Sequence, residues 1–248
     1  MGNILEGKNA LVTGGAAGIG KSIAIELAHS GADIILCDIN INGAEACAKE
    51  VRDQGVRCIT KYFDVADIKK IKPLVEKIEK DFGQIDILVN NAGITMNVSI
   101  EDMSEDMWDK VMNVNLKGTF FVSQAVYERM KKRHWGRIIN ISSLAGERGG
   151  RFAGVNYSAS KAGVIVLTKC FALDGGKYGI NTNVICPGLI DTEMARKLGF
   201  AKNATSDIPL GRLGRPGEVA NLVVFLASSL ADYINGQTIS INGGQTMR

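Results

Sequence analysis

Short apolar runs alternate along the whole chain with longer segments of helical periodicity, and this alternation constrains the fold more than any other feature. The runs LVTG, IILCD and DILVN are apolar on both strand faces, as strands buried in a parallel sheet are. Strands that alternate with helices predict an α/β fold, a doubly wound parallel sheet of about seven strands with helices on both faces. The strands are predicted at Ala10–Thr13, Asp33–Asp38, Val56–Phe63, Ile85–Asn90, Arg137–Ser142, Ile180–Cys186 and Thr238–Ile241. The helices are predicted at Ile19–His29, Ala44–Gln54, Ile68–Phe82, Leu116–Arg133, Ser158–Leu173 and Pro216–Ala227.

Composition places the chain among folded domains. Its 248 residues are 46% hydrophobic and 22% charged, and no linker or repeat divides them, so residues 1–248 are predicted to form one domain. A net charge of +3 without a basic patch argues against nucleic-acid binding. No apolar run approaches the roughly 20 residues of a membrane span, and the amino terminus lacks the layout of a secretion signal. We expect a cytoplasmic protein with no membrane and no nucleic-acid partner.

Cysteine and histidine give no metal signature. The five cysteines are odd in number and form no CxxC pair, so reduced core thiols are favoured over catalysis or metal binding. The two histidines, His29 and His134, are too far apart in the sequence to predict a shared site. We therefore predict no metal.

Glycines follow the first predicted strand directly, in the segment TGGAAGIG at residues 13–20. Glycine lets the backbone turn tightly and approach a pyrophosphate, whose charge the amino-terminal end of the following helix stabilises. The spacing is GxxxGxG rather than GxGxxG. Because the segment lies between the first strand and the first helix of an α/β chain, it indicates a dinucleotide site.

The second predicted strand ends in an acidic residue, Asp38. A carboxylate there can accept hydrogen bonds from the ribose hydroxyls of an adenosine, and it repels a 2′-phosphate. Residue 17 is Ala, and no Arg or Lys follows Asp38 until Lys49. NAD is therefore favoured over NADP as cofactor. The alternative is that Asp38 only caps the turn before Asn40.

Tyr157 and Lys161 lie one helical turn apart in the segment YSASK. A free tyrosine has a pKa near 10, too high for proton transfer at neutral pH. A nearby ammonium lowers that pKa and makes the tyrosine a usable acid or base. The pair alone is also compatible with a solvated helix face.

Seven motifs in order resemble the short-chain dehydrogenase/reductase family over nearly the whole chain, with its single-domain Rossmann-type fold. They are TGGAAGIG at 13–20, Asp64-Val65, NNAG at 90–93, NVNLKG at 113–118, INISS at 139–143, YSASK at 157–161 and PGLIDT at 187–192. The resemblance implies an oxidoreductase that interconverts a secondary alcohol and a ketone with a nicotinamide cofactor.

The resemblance implies a role for each of four residues. Tyr157 would be the general acid or base, and Ser143 would orient the carbonyl oxygen, with Ser142 as its competitor for that role. Lys161 would bind the nicotinamide ribose and lower the tyrosine pKa. Asn115 would hold a water of the proton relay.

The resemblance also assigns cofactor contacts, and Tyr157 and Lys161 are among them. The other implied contacts are Gly14, Gly18, Ile19 and Gly20 along the pyrophosphate, Asp38 at the adenosine ribose, Asp64 and Val65 beside the adenine, Asn91, Ala92 and Gly93 beneath the adjoining ribose, and Pro187, Gly188, Ile190 and Thr192 at the nicotinamide end. For Asn90 a structural role in bracing the central strands is expected instead.

Within the family, the segments NNAGIT, RHWGRIINISS and PLGRLGRPGEVA resemble bacterial 3-oxoacyl-thioester reductases. A 3-hydroxyacyl or 3-oxoacyl thioester, carried on CoA or on an acyl-carrier protein, is the favoured small-molecule substrate. A polyol, sugar or cyclic alcohol is the alternative, and a catalytically silent NAD-binding partner subunit is the alternative of another class. The family also implies a homo-oligomer, first a tetramer.

Three surface features keep two interpretations each. Residues 191–208 are either a substrate loop or a surface connection. Arg148 and Arg151 are either contacts for a substrate carboxylate or phosphate, or solvated charges. The basic run 131–137 either holds an acidic carrier or CoA, or is a solvated helix end. The pair Gly175-Gly176 is expected to end its helix early, because each glycine costs about 1 kcal/mol in a helix.

Overall fold

The protein folds around a seven-stranded parallel sheet. The structure is a computed structural model and describes residues 3–150, 153–197 and 205–247. The strand order is β3-β2-β1-β4-β5-β6-β7, so the direction of winding reverses between β1 and β4. All seven predicted strands are confirmed, with ends shifted by at most two residues. The strands are β1 (Asn9–Thr13), β2 (Asp33–Asp38), β3 (Cys58–Tyr62), β4 (Ile87–Asn90), β5 (Gly136–Ile141), β6 (Ile180–Pro187) and β7 (Thr238–Ile241).

Helices cover both faces of the sheet, as the alternation predicts. Sequence reasoning missed three of them, α4, α6 and α8, which are short. The α-helix predicted from Leu116 begins instead at Thr119, because residues 113–118 form a π-helical turn. The helices are α1 (Gly18–His29), α2 (Ile41–Arg52), α3 (Ile68–Phe82), α4 (Glu105–Met112), α5 (Thr119–Arg133), α6 (Leu144–Arg148), α7 (Val155–Gly175), α8 (Glu193–Lys197) and α9 (Pro216–Ala227).

The core lies in two layers, because successive side chains of a strand point to opposite faces of the sheet. Val12 of β1 packs with α1 and α9, for example with Ile23 and Val223. Its neighbour Leu11 packs on the other face with α3 and α5, for example with Val75. Both layers are apolar, which is why the strands read as continuous hydrophobic runs.

A buried polar chain braces the central strands. The side-chain amide of Asn90 donates to Ser123 Oγ and to Asn140 Oδ1, each at 2.8 Å. Asn140 Nδ2 donates in turn to Thr168 Oγ1 at 2.8 Å. These bonds link β4 and β5 to α5 and α7, and the structural role expected of Asn90 is confirmed.

The paired glycines do not end α7 early. The helix continues through Leu173 to Gly175, and a short 3-10 turn follows at 176–178. A Cβ atom on Gly175 would lie 3.2 Å from Ile180 Cβ and 3.2 Å from Tyr127 Cε2. The absent side chain therefore lets the helix end pack closely against β6 and α5, which offsets the low helix propensity of glycine.

The cysteines are unpaired, and four of the five are buried, as expected of core thiols. Burial raises the pKa of Cys47 to about 11 and that of Cys58 to about 12. Cys170 is exposed on α7 and departs from the expectation. Within the described ranges, no cluster of three potential metal ligands occurs, and no helix has the length and apolar character that crossing a membrane requires.

Candidate active site

The motif residues meet at the carboxyl ends of the central strands, where the strand order reverses. In open α/β sheets this crevice is the place where ligands bind. The glycine turn follows β1, Asn91 follows β4 and Ser143 comes two residues after β5. Residues that are far apart in the sequence therefore share one edge of the sheet.

The turn after β1 requires its glycines. Gly14 has a positive φ of 66°, and a Cβ there would lie 2.8 Å from the Cα of Ala92. A Cβ on Gly20 would lie 2.0 Å from the carbonyl oxygen of Gly14, closer than any side chain can be. Gly18, with a φ of 56°, faces the methyl group of Thr192. The missing side chains leave a bare main-chain cradle.

Helix α1 begins inside this cradle with its amino-terminal N–H groups open. Ala17 precedes the helix, and no side chain caps it. The first turn contains no acidic residue. Unpaired N–H groups and the helix dipole attract an anion, so the cradle fits the pyrophosphate of a dinucleotide.

Asp38 lies at the end of β2 beside the cradle. Its carboxylate accepts the N–H of Ala16 at 3.0 Å and the N–H of Asn40 at 2.8 Å. The second bond is the local contact expected if Asp38 caps the turn before Asn40. The first bond, however, joins β2 to the glycine turn, so the carboxylate is held at the edge of the cradle.

Two further predicted segments follow β4 and β3 at the same edge of the sheet. Thr13 Oγ1 accepts the N–H groups of Asn91 and Ala92, both at 3.1 Å. Asn91 Nδ2 donates to the carbonyl oxygen of Gly14 at 2.9 Å, which ties β4 to the glycine turn. Asp64 Oδ1 accepts the N–H of Ala66 at 2.9 Å, and Val65 between them is buried.

The two serines after β5 have different surroundings. Ser142 is buried, and its hydroxyl donates to the carbonyl oxygen of Lys161 at 2.7 Å. Ser143 is partly exposed; its Oγ accepts the N–H of Ala145 at 3.1 Å and is hydrogen-bonded to Tyr157. Of the two hydroxyls, that of Ser143 is the one that shares the cleft with the tyrosine.

Tyr157 and Lys161 converge from α7. Lys161 Nζ lies 5.7 Å from the centre of the Tyr157 ring and donates to the carbonyl oxygen of Ile141 at 2.8 Å. Burial lowers the pKa of Lys161 to about 8, from an ordinary value of 10.5. The pKa of Tyr157 is raised by burial, and the bond to Ser143 opposes this only in part. The direction is opposite to the expected lowering, because loss of solvent outweighs the neighbouring groups.

Asn115 lies in the π-helical turn and is fully buried. Its side chain accepts the N–H of Ile94 at 2.8 Å and donates to the Ile94 carbonyl oxygen at 2.9 Å and to Ser160 Oγ at 3.1 Å. A Cβ on Gly93 would lie 3.3 Å from Lys161 Nζ and 3.4 Å from Asn115 Oδ1. The asparagine therefore holds the chain after β4 directly beside the lysine. Sequence reasoning missed both partners of the Asn115 side chain: Ile94 bonds through its main chain, and the Ser160 hydroxyl meets Asn115 only in the folded structure.

Residues Pro187–Thr192, here named the strap, run from the end of β6 to the glycine cradle, where Thr192 faces Gly18. Gly188 N donates to the carbonyl oxygen of Ile241 at 2.9 Å, and Leu189 N donates to Gln245 Oε1 at 3.3 Å. Thr192 Oγ1 accepts the N–H of Ala195 at 3.2 Å. Gln245 was not predicted, because its partner is a main-chain group 56 residues away.

The two predicted arginines and the predicted substrate loop are described only in part. Arg148 is exposed at the end of α6, where its Nη1 donates to the carbonyl oxygen of Gln245 at 3.4 Å. Arg151 lies outside the described residues. Part of the predicted loop 191–208, residues 198–204, does so too, and its first part contains α8.

The basic run 131–137 is largely occupied by contacts within the chain. Arg133 binds Glu79 at 3.1 Å, and Arg137 is buried and paired with Asp232. Lys131 lies over the ring of Tyr178, at 4.3 Å from its centre. The run is therefore closer to a helix end fixed by its neighbours than to an open cationic patch.

Comparisons with known proteins find relatives that match nearly the whole chain. A family model described as enoyl-(acyl carrier protein) reductase matches residues 14–246. The 3-oxoacyl-[acyl-carrier-protein] reductase FabG of Thermotoga maritima is 44% identical over 97% of this chain and 98% of its own. The acetoacetyl-CoA reductase of Shinella zoogloeoides is 43% identical over 95% of this chain and 97% of its own.

Solved structures give the same result. A short-chain type dehydrogenase/reductase from Mycobacterium marinum superposes with a TM-score of 0.95 at 32% identity, covering 98% of this chain and 97% of its own. A putative gluconate dehydrogenase from Agrobacterium tumefaciens superposes with a TM-score of 0.93 at 32% identity, covering 97% and 96%. The fold, the ordered motifs and these relatives lead to one conclusion. The chain belongs to the short-chain dehydrogenase/reductase family and is an oxidoreductase that acts on CH–OH or keto groups with a nicotinamide cofactor.

Proposed function

We propose that this enzyme reduces the keto group of a 3-oxoacyl thioester with NADH. One observation carries the proposal: the Ser143 hydroxyl, the Tyr157 phenol and the Lys161 ammonium share one cleft beside a bare glycine cradle. A hydrogen-bond donor, a proton donor and a cation next to a dinucleotide cradle are the groups that carbonyl reduction needs.

Ser143 and Tyr157 have separate roles in the reduction of the carbonyl group. When bound, the reduced nicotinamide supplies the hydride that reaches the substrate carbon. Ser143 donates a hydrogen bond to the carbonyl oxygen and orients it. Tyr157 gives its phenolic proton to the same oxygen, so that a negative alkoxide never accumulates. Oxidation runs the same steps backwards, with Tyr157 as the base.

Lys161 completes the proton path. With its pKa lowered to about 8, the ammonium can pass a proton near neutral pH, and it also binds the nicotinamide ribose. The side chain of Asn115 is occupied by Ile94, so it contributes by fixing the main chain beside Lys161, where a relay water would lie.

Asp38 supports NAD over NADP. Its carboxylate is fixed by two main-chain N–H groups at the end of β2, beside the glycine cradle. Residue Ala17 in the cradle is exposed and carries no charge to compensate a 2′-phosphate. A fixed anion repels that phosphate and accepts bonds from ribose hydroxyls instead.

CoA is favoured as the thioester carrier. Relatives that act on acyl-carrier protein and on acetoacetyl-CoA are about equally similar to this chain. An acidic carrier protein needs an open cationic surface. The basic run 131–137 offers few free cations, since Arg133 and Arg137 are held by acidic residues of the same chain.

The test is reduction of acetoacetyl-CoA under matched conditions with NADH and with NADPH, followed by loss of reduced cofactor. Efficient turnover with NADH and poor turnover with NADPH is the expected result. A preference for NADPH would overturn the cofactor assignment. Turnover of an acyl-carrier-protein thioester in preference to the CoA thioester would overturn the assignment of the carrier.

A polyol or sugar alcohol is the second candidate substrate. The observation in its favour is the putative gluconate dehydrogenase, whose structure superposes with a TM-score of 0.93. Failure of acetoacetyl-CoA together with NAD-dependent oxidation of sugar acids or polyols would establish it. A silent NAD-binding subunit is disfavoured, since Asn115, Ser143, Tyr157 and Lys161 are all present and gathered in one region.

We also propose a homotetramer in a reducing cytoplasm. Large apolar side chains are exposed on α7 and near the end of α9, including Leu173 at 85% and Leu230 at 69%. Apolar side chains exposed on a helix favour contact with a second copy. The unpaired cysteines suit a reducing compartment. Light scattering of the purified chain measures the oligomer directly, and a monomer would refute it.

A further inference from the structure

The strap at residues 187–192 is held from both sides by main-chain and side-chain bonds. On one side Gly214 N donates to the carbonyl oxygen of Leu189 at 3.0 Å, and Asp191 N donates to the carbonyl oxygen of Gly214 at 2.8 Å. On the other side Leu189 N donates to Gln245 Oε1 at 3.3 Å. Ile190 is thereby fixed between two anchored neighbours.

The side of the strap that faces the carboxyl terminus depends on a close fit. A Cβ on Gly188 would lie 2.6 Å from Gln245 Oε1 and 2.9 Å from the Cα of Asn242. The turn that presents Gln245 is itself cross-linked, because Asn242 Nδ2 donates to Thr246 Oγ1 at 2.8 Å and Gly244 N donates to Asn242 Oδ1 at 3.0 Å. Gln245 is therefore held by a shaped turn rather than by a loose tail.

Gln245 also reaches the helix that follows Ser143. Arg148 Nη1, at the end of α6, donates to the main-chain carbonyl oxygen of Gln245 at 3.4 Å. Glu147 on the same helix accepts the hydroxyl of Ser240 in β7 at 2.9 Å. The carboxyl-terminal turn thus contacts two walls of the cleft, the strap and α6.

We propose that Gln245 is a positioning residue for the nicotinamide end of the cofactor. Its side-chain carbonyl sets the position of Leu189, and hence of the neighbouring Ile190, relative to the helix that begins after Ser143. The proposal rests on the proposed function, in which the strap contacts the nicotinamide. No other described side chain accepts the N–H of Leu189, so loss of this acceptor releases one edge of the strap.

Two variants of similar size separate the hydrogen bond from packing. Gln245→Met keeps the length of the side chain and removes the acceptor, whereas Gln245→Glu keeps the acceptor. Gln237→Met is the matched control, because the Gln237 side chain is exposed and, among the described residues, donates only to the carbonyl oxygen of Asn235 at 3.1 Å. The measurements are the Kd of NADH by fluorescence titration, KM and kcat with acetoacetyl-CoA, and Tm.

Gln245→Met is expected to raise the Kd and KM of NADH by up to about fivefold, the most that the free energy of one neutral hydrogen bond allows, with a smaller change in kcat and a Tm lowered by about 2–4 °C because the bond lies within the protein. Gln245→Glu and Gln237→Met are expected to bind NADH as the unmodified protein does. The proposal would be overturned if Gln245→Met binds NADH as tightly as the unmodified protein. It would also be overturned if Gln245→Met and Gln245→Glu weaken NADH binding equally. An unmodified protein that binds no NADH would refute the proposed cofactor instead, which separates the two failures.

Discussion

Replacement of Asp38 by asparagine tests the basis of cofactor choice with the smallest change in shape. The carboxylate accepts N–H groups from Ala16 at 3.0 Å and from Asn40 at 2.8 Å, and it has no cationic partner among its bonds. Asparagine removes the negative charge and retains one acceptor oxygen, so one of the two main-chain N–H groups loses its acceptor. The variant therefore changes the electrostatics of the ribose site and costs one main-chain hydrogen bond, with nearly the same side-chain volume.

The magnitude follows from the position of Asp38 at the rim of the cleft. A 2′-phosphate about 4 Å away would be repelled by about 1 kcal/mol per unit charge in water and by about 4 at an effective dielectric constant of 20. The neighbouring Ile39 is 63% exposed, so water reaches this part of the cleft and the value for water applies. Since a phosphate carries up to two negative charges, the repulsion is about 2 kcal/mol. Loss of a ribose hydrogen bond adds about 1 kcal/mol, and the preference for NADH becomes about 100-fold.

The assay compares kcat/KM for NADH and NADPH with acetoacetyl-CoA in both proteins. Asp38→Asn is expected to reduce the NADH preference from about 100-fold to about fivefold, because only the hydrogen-bond difference remains. Asp64→Asn is the matched control. It removes the same charge from a carboxylate expected beside the adenine, so both cofactors are expected to weaken together with their ratio unchanged.

Two results would refute this reasoning. If Asp38→Asn retains the full preference for NADH, the charge of Asp38 does not decide the choice. If Asp64→Asn changes the ratio of kcat/KM for NADH and NADPH as strongly as Asp38→Asn does, cofactor choice depends on the total negative charge near the cleft and not on a contact between Asp38 and the ribose.

Three further substitutions test the rest of the site. Tyr157→Phe is expected to abolish turnover while the Kd of NADH stays unchanged, since only the proton donor is lost; retained turnover in a stopped-flow assay would contradict the mechanism. Gly20→Ala is expected to weaken NADH binding by about tenfold or more, because its Cβ would lie 2.0 Å from a carbonyl oxygen; unchanged binding in a fluorescence titration would show that the cradle can widen. Burial lowers the pKa of Lys161 to about 8, so its ammonium destabilises the fold below that pH. The free energy of unfolding, measured in urea relative to Lys161→Met, should rise by about 3 kcal/mol as pH increases from 8 to 10.5, and a flat difference would refute the buried charge.

Local sequence predicted the elements of the fold well. The apolar runs around Val12, Leu36 and Val89 occupy buried parallel strands, because burial on both faces demands apolar residues at every position. The π-helical turn at 113–118 and the short helix α6 were not predicted. Both segments are too short to show a helical periodicity of hydrophobic residues, and both are stabilised by contacts with other elements of the fold.

The sequence by itself determined the glycine cradle, the acidic end of β2 and the spacing of Tyr157 and Lys161. Each depends on local geometry: a turn that admits no Cβ, a strand end and one helical repeat. The tertiary structure decided which serine faces Tyr157, why Lys161 has a low pKa and that Gln245 anchors the strap. These depend on burial and on pairs of residues from distant segments, such as Ser142 with Lys161 and Leu189 with Gln245, which meet only once the sheet has brought the strand ends together.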